Sequence, residues 1–190
     1  MRKFVLLFTF IVLLASCGKK ETPAAANNGS KPPAQTTTAT TATVATTTGT
    51  DIGATMPEYS ATSLDGSKFD LAAKRNKVVL LNLWATWCGP CRYEIPELQS
   101  LHAKFEPKGF EVIGVSVDES GVEPVKQFVD EFKMTYPVVL DPEGKLAGIF
   151  GTSVLPTTVL LDRNGKIVWK RYGQIMPGDK ELEQAIAKVL

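Results

Sequence analysis

Histidine occurs once in this 190-residue chain and cysteine three times. Those counts set limits first. A closed zinc site generally takes four nitrogen or sulfur ligands. From residue 53 onward the chain offers Cys88, Cys91 and His102, and no other residue of either type. No apolar run approaches the roughly 20 residues that a membrane-spanning helix needs; Phe4 to Leu14 reaches eleven. Strong charge of either sign is absent as well. Residues 53–190 carry 16 Lys and Arg against 18 Asp and Glu, a net of −2 with the signs interspersed. Without a basic stripe, neither nucleic acid nor an anionic lipid surface is an expected partner. There is no internal repeat, and nothing in the sequence demands an oligomer, so a monomer is expected.

The beginning of the chain reads as an export signal. Arg2 and Lys3 precede the apolar run, and the run has the length of a signal core. "LASC", Leu14 to Cys17, resembles a bacterial lipobox, in which the cysteine is lipidated and becomes the new N-terminus. Residues 1–17 are therefore expected to leave Cys17 as a lipid anchor on the outer side of a membrane, where disulfides can form. Residues 18–52 are almost all Thr, Ala, Pro, Asn and Gly. That composition cannot bury enough surface to offset its ordering entropy. As a flexible coil, these 35 residues reach about 30–35 Å. The expectation is a disordered tether, followed by one domain over 53–190.

The domain alternates strand and helix signals. "KVVLLNLW" (77–84) and "FEVIGVSVD" (110–118) are β-branched, apolar runs suited to strands buried on both faces. Between them Ile95, Leu98, Leu101 and Phe105 recur at helical spacing, as do Val125, Phe128, Val129 and Phe132 further on. "TTVLLDRNGKIVWKRY" (157–172) predicts a hairpin turning at Asn164-Gly165, and 57–71 predicts a smaller one at Asp65-Gly66. An amphipathic helix over 179–190 ends the chain. This order predicts an α/β domain with helices on the faces of a sheet.

"LWATWCGPCRYEIP" (83–96) holds the chemistry. It falls at the carboxyl end of a buried strand and opens the next helix, where ligand chemistry concentrates in open α/β sheets. At a helix N-terminus, unpaired N–H groups and the helix dipole stabilise a thiolate on Cys88. Pro90 suits the first turn. Cys91, three residues on, can attack a mixed disulfide formed at Cys88, so Cys88 is the expected exposed nucleophile and Cys91 the shielded resolving thiol. Metal binding lacks ligands, and a purely structural disulfide across so short a loop gains little. One cysteine for lipid and two for a redox pair leaves none over.

With "VLPTTVLLDRNGKIV" (154–168) added, these segments resemble the thioredoxin superfamily. The N-terminal hairpin, "NLWATWCGPCRYEIP" and the segment 119–150 resemble its TlpA/ResA-like branch of membrane-tethered thiol–disulfide oxidoreductases. The resemblance covers 53–190. It implies a three-layer α/β/α sandwich around a mixed sheet, with an N-terminal hairpin and a βα insertion. It implies a redox-active Cys88–Cys91 disulfide and no other cofactor. Pro156 would be cis and pack opposite the cysteine pair, leaving the Leu155 backbone to pair with a substrate peptide. Trp87, Gly89 and Pro90 would complete that binding surface, Pro96 would kink the helix, and Glu94 would be the acidic residue near the pair. Asn82 stands where cytoplasmic thioredoxin has a buried aspartate, and an amide cannot accept a proton from Cys91, so Glu94 becomes the candidate acid–base group.

Gly89-Pro90 resembles the dipeptide of reducing thioredoxin, and an acidic neighbour disfavours the thiolate. Both point to a reductant of protein disulfides, recharged by a membrane thiol-electron carrier, with oxidised apocytochrome c as a candidate substrate protein. Other functions stay open. A peroxiredoxin-like thiol peroxidase shares the fold, but its cysteine sits in Pro-x-x-x-Thr-x-x-Cys, and Thr86 lies only two residues before Cys88. A copper-delivery protein is another, but related carriers use Cys-x-x-x-Cys with a distal histidine, and only His102, in the same helix, follows Cys91. A binding module with an inert thiol pair also stays open.

Overall fold

A computed structural model of the protein describes residues 47–190. The export signal, Cys17 and the expected tether up to residue 46 lie outside the described residues. The last residues expected in the tether belong to the domain instead: Thr48 pairs with Thr55, Lys170 Nζ donates to the Thr50 carbonyl at 3.0 Å, and the Gly53 N–H donates to the Ile167 carbonyl at 2.7 Å.

Seven strands form one sheet: β1 (Ser60–Ser63), β2 (Lys68–Asp70), β3 (Val78–Trp84), β4 (Phe110–Ser116), β5 (Val138–Leu140), β6 (Thr157–Leu161) and β7 (Ile167–Tyr172). The helices are α1 (Gly89–Phe105), α2 (Val122–Glu131), α3 (Lys145–Phe150) and α4 (Lys180–Val189). Strand order is β2-β1-β5-β4-β3-β6-β7. β3 pairs in parallel with β4 and β4 with β5, while β6 runs antiparallel to β3 and β7 to β6. The sheet is therefore mixed. β1 and β2 form the expected small hairpin and dock antiparallel on β5.

Period-2 side-chain alternation divides β3 between two cores. Val79, Leu81 and Leu83 face Leu146 and Phe150 of α3 with Met56 and Tyr59. Val78 and Leu80 face Leu98, Leu101 and Phe105 of α1 and Leu182 and Ile186 of α4. A third cluster joins Trp84, Cys88, Cys91 and Ile95 to Val125 and Phe128 of α2. The result is the thioredoxin-like α/β/α sandwich, with α2, β5 and α3 filling the segment between β4 and Gly151. β3 and β4 are buried along their whole length, which is why they read as continuous apolar runs. α2 begins two residues before Pro124, a residue tolerated in a first helical turn.

Both predicted tight turns form, with Gly66 at φ +86° and Gly165 at φ +74°. Glycine adopts that left-handed region without a Cβ clash.

Candidate active site

β3 delivers the chain to the site through Ala85–Trp87, and Cys88 caps α1. Its backbone is extended (φ −81°, ψ 103°), and its Sγ accepts the Cys91 N–H at 3.2 Å. Cys88 and Cys91 are joined by a disulfide, S–S 2.04 Å, with Cα atoms 5.3 Å apart. Exposure is less divided between the sulfurs than the sequence implies. Cys88 is 4% exposed and Cys91 2%, and Cys88 packs in one cluster with Trp84, Ile95 and Leu155. The accessible surface comes from neighbours: Trp87 is 70% exposed and Tyr93 73%, and Gly89 and Pro90 are exposed. Pro96 lies inside α1, where it withholds one N–H from the helical ladder.

The Leu155–Pro156 peptide is cis. Leu155 packs against the cluster that holds both cysteines. Among the described residues its N–H and carbonyl have no hydrogen-bond partner. The Pro156 carbonyl accepts the Gly173 N–H at 2.8 Å, and the Thr157 hydroxyl donates to the Val154 carbonyl at 2.7 Å. An open groove of about 270 Å³ runs beside this loop, lined by Trp87, Leu155, Leu83, Val117 and Ala147, with Glu119 among its polar lining residues.

Glu94 lies in the first turns of α1 and is wholly buried. Its Oε1 accepts from Asn82 Nδ2 at 2.7 Å and its Oε2 from the Ile175 N–H at 2.8 Å. Asn82 also donates to Thr158 Oγ1 at 3.0 Å. Burial pushes the carboxyl up from 4.5 to about 7, against the opposing pull of the Ile175 and Asn82 hydrogen bonds. Glu94 therefore exchanges a proton near neutrality, in the range a general acid–base group needs. Asn82 was legible as a departure from thioredoxin but not as a partner of Glu94. Thr158, Ile175 and Asp118, which binds Thr86, carried no local signal.

The family model described as AhpC/TSA family matches residues 52–170. A thiol-disulfide oxidoreductase ResA of Bacillus cereus is 34% identical over 174 residues, covering 92% of this chain and 91% of the relative. The chain belongs to the ResA-like thiol–disulfide oxidoreductases of the thioredoxin superfamily. The ResA protein of Bacillus thuringiensis (strain Al Hakam) is 38% identical over 123 residues, 65% of this chain and 70% of the relative. Among solved structures, a Chlorobium tepidum protein described as a thiol:disulfide interchange protein DsbE superposes with TM-score 0.68 at 32% identity. It covers 73% of this chain and 97% of its own. A secreted thiol-disulfide isomerase from Corynebacterium glutamicum gives TM-score 0.65 at 28% identity, covering 70% and 84%. This ResA-like protein is thus a thiol–disulfide oxidoreductase, and Cys88–Cys91 is its redox-active disulfide.

Proposed function

We propose that the protein is a reductant of protein disulfides, working outside the cytoplasm and tethered to a bacterial membrane by lipid on Cys17. Residues 1–17 act as the lipoprotein signal and the Thr/Ala/Pro-rich stretch from residue 18 up to residue 46 as the leash of the domain. The Cys88 thiolate attacks one sulfur of a substrate disulfide, forming a mixed disulfide and expelling the other substrate sulfur as a thiolate. Cys91 loses its proton to Glu94 and attacks Cys88 Sγ, and the second substrate thiolate leaves. Two electrons pass to the substrate, and the enzyme is left as the Cys88–Cys91 disulfide. A membrane thiol-electron carrier reduces it again by the reverse exchange. Trp87, Gly89, Pro90 and Pro156 form the surface on which the substrate chain lies, and the unpartnered Leu155 backbone pairs with it. An oxidised apocytochrome c is the substrate class to which the ResA-like branch points.

The observation that carries this reading is the buried Glu94 carboxyl, three residues after Cys91 on α1, with its proton affinity moved to about 7. A negative charge there disfavours the thiolates and so opposes the stabilised dithiol of a strong oxidant. The test is the equilibrium reduction potential of the pair against a thiol–disulfide buffer. A value near thioredoxin's, about −270 mV, makes the protein a reductant; a value near about −120 mV makes it a disulfide donor and ends this reading.

The AhpC/TSA match favours thiol peroxidase as a second reading. Hydrogen peroxide consumption at enzymatic rates by the reduced protein would establish it.

A further inference from the structure

Thr86, two residues before Cys88, is gripped from two sides. Its N–H donates to Asp118 Oδ2 at 3.0 Å and Oδ1 at 3.2 Å, and its hydroxyl donates to Oδ1 at 2.6 Å. Its carbonyl accepts from Arg92 Nη2 at 2.8 Å and Nε at 3.1 Å. Asp118 follows β4 and is buried. The Ser116 hydroxyl also donates to its Oδ2, at 2.7 Å, so three donor groups converge on one carboxylate. Arg92 follows Cys91 on α1, and its guanidinium lies over Phe128 and Phe132, 5.4 and 5.9 Å from the ring centroids. Charge-assisted hydrogen bonds are roughly twice as strong as neutral ones. Here they fasten one residue to the end of β4 on one side and to α1 on the other.

We propose that Asp118 and Arg92 are positioning residues that clamp Thr86, and through it Cys88, where Cys91 can close the disulfide. The exchange steps above use neither side chain. This role rests on thiol–disulfide exchange at Cys88 and Cys91, whatever the direction of electron flow.

The physical reason lies in the reduced state. In the oxidised protein the S–S bond itself ties Cys88 to α1. When two electrons and two protons convert it to two thiols, that covalent tie is gone. The clamp then remains, with the backbone bonds from Cys88 N–H to the Ala85 carbonyl (3.1 Å) and from Arg92 N–H to the Cys88 carbonyl (3.4 Å). A dithiol held near its closing geometry has less freedom to lose, so the effective concentration of Cys91 at Cys88 is high. Closure becomes more favourable and the dithiol a better electron donor. The same holds in the mixed disulfide, where the Cys91–Cys88 bond forms as the bond from Cys88 to the substrate sulfur breaks.

The test uses the full-length protein carrying Cys17→Ser, so that only Cys88 and Cys91 exchange. Thr86→Val removes the hydroxyl, Asp118→Asn removes the charge at constant shape, and Arg92→Met removes the guanidinium. Thr86→Ser keeps the hydroxyl and serves as the rescue. Lys74→Met, which breaks the ion pair with Glu111 (2.9 Å), reports a general loss of stability. The readouts are the closure equilibrium against glutathione and the second phase of thionitrobenzoate release, in which Cys91 displaces the adduct from Cys88. Asp118→Asn and Thr86→Val should each lower both quantities about tenfold, raising the potential by about 30 mV, while Thr86→Ser and Lys74→Met stay within twofold of the parent. Equal closure constants and release rates, with only a lowered melting temperature, would reduce the clamp to a structural role. Should Thr86→Val not fold, Asp118→Asn decides alone, being isosteric. The parent's own potential tests the direction of electron flow, and the ratio of variant to parent tests the clamp.

Discussion

The side-chain amide of Asn82 donates to Glu94 Oε1 at 2.7 Å, joining the middle of β3 to the first turns of α1. The contact puts a wholly buried carboxyl next to a group that can donate to it but cannot take its proton. Its other oxygen is held by the Ile175 N–H, so the carboxyl is fixed by three segments of chain. That fixed, buried carboxyl is the feature on which pH dependence at this site turns.

Burial raises Glu94 from 4.5 to about 7, so between those values the folded chain keeps a proton that the unfolded chain has released. Stability from this group is therefore greatest below pH 4.5, falls as pH rises through the window, and is level above 7. The full difference is on the order of 3 kcal/mol. Urea unfolding of oxidised protein at several pH values measures the slope, and Glu94→Gln should flatten it. An unchanged slope in that variant would assign it to another group.

The same variant tests proton transfer. General acid–base groups contribute about 10²–10⁴-fold, so Glu94→Gln should slow Cys91 attack on a Cys88 mixed disulfide by about 10²-fold near pH 7. Stopped-flow release from the mixed disulfide measures it. Unchanged thiol pKa values and rates would remove Glu94 from the chemistry.

Asn82→Asp places a second carboxylate against Glu94. Two carboxylates sharing a site cannot both ionise at ordinary cost, so the variant should lose about 3 kcal/mol relative to the parent at pH 8 and much less at pH 5. Thermal melts at the two pH values make the comparison.

Trp87 is the large exposed side chain beside Cys88. Truncating an aromatic anchor at an interface costs about 2 kcal/mol or more. Trp87→Ala should raise KM for a protein disulfide about thirtyfold, with turnover of a small disulfide within twofold of the parent. Equal losses on both substrates would place Trp87 in the fold and not in docking.

Gly114 lies in β4 beneath Trp84. A Cβ there would stand 2.9 Å from the Trp84 indole nitrogen and 3.2 Å from the Tyr136 ring. Gly114→Ala should cost about 1–3 kcal/mol through overpacking, read from urea unfolding, and push Trp84 toward Phe128, whose ring centroid is 4.9 Å away.

Much of this protein was legible locally. β3, β4 and the stripe Ile95, Leu98, Leu101, Phe105 show in the apolar pattern because each is long enough to repeat its period against one core. The turns at Gly66 and Gly165 show because positive φ selects glycine. The cysteine pair shows because two thiols at that spacing opening a helix have few other uses. β5 and α3, with three and six residues, are too short to display a period and emerge only once neighbours cover them.

Sequence by itself determined the strand–helix order, the turn chemistry and the identity of the redox pair, since each follows from residues within a few positions of one another. Only the tertiary structure decided that the hairpin β1–β2 docks on β5, that Asn82 and Ile175 hold Glu94, and that Asp118 holds Thr86. Those hydrogen-bond partners stand 12, 81 and 32 residues apart. A hydrogen bond between distant segments leaves no periodicity behind. It exists only after hydrophobic burial has closed the loops between them and removed the water that would otherwise compete for the same groups.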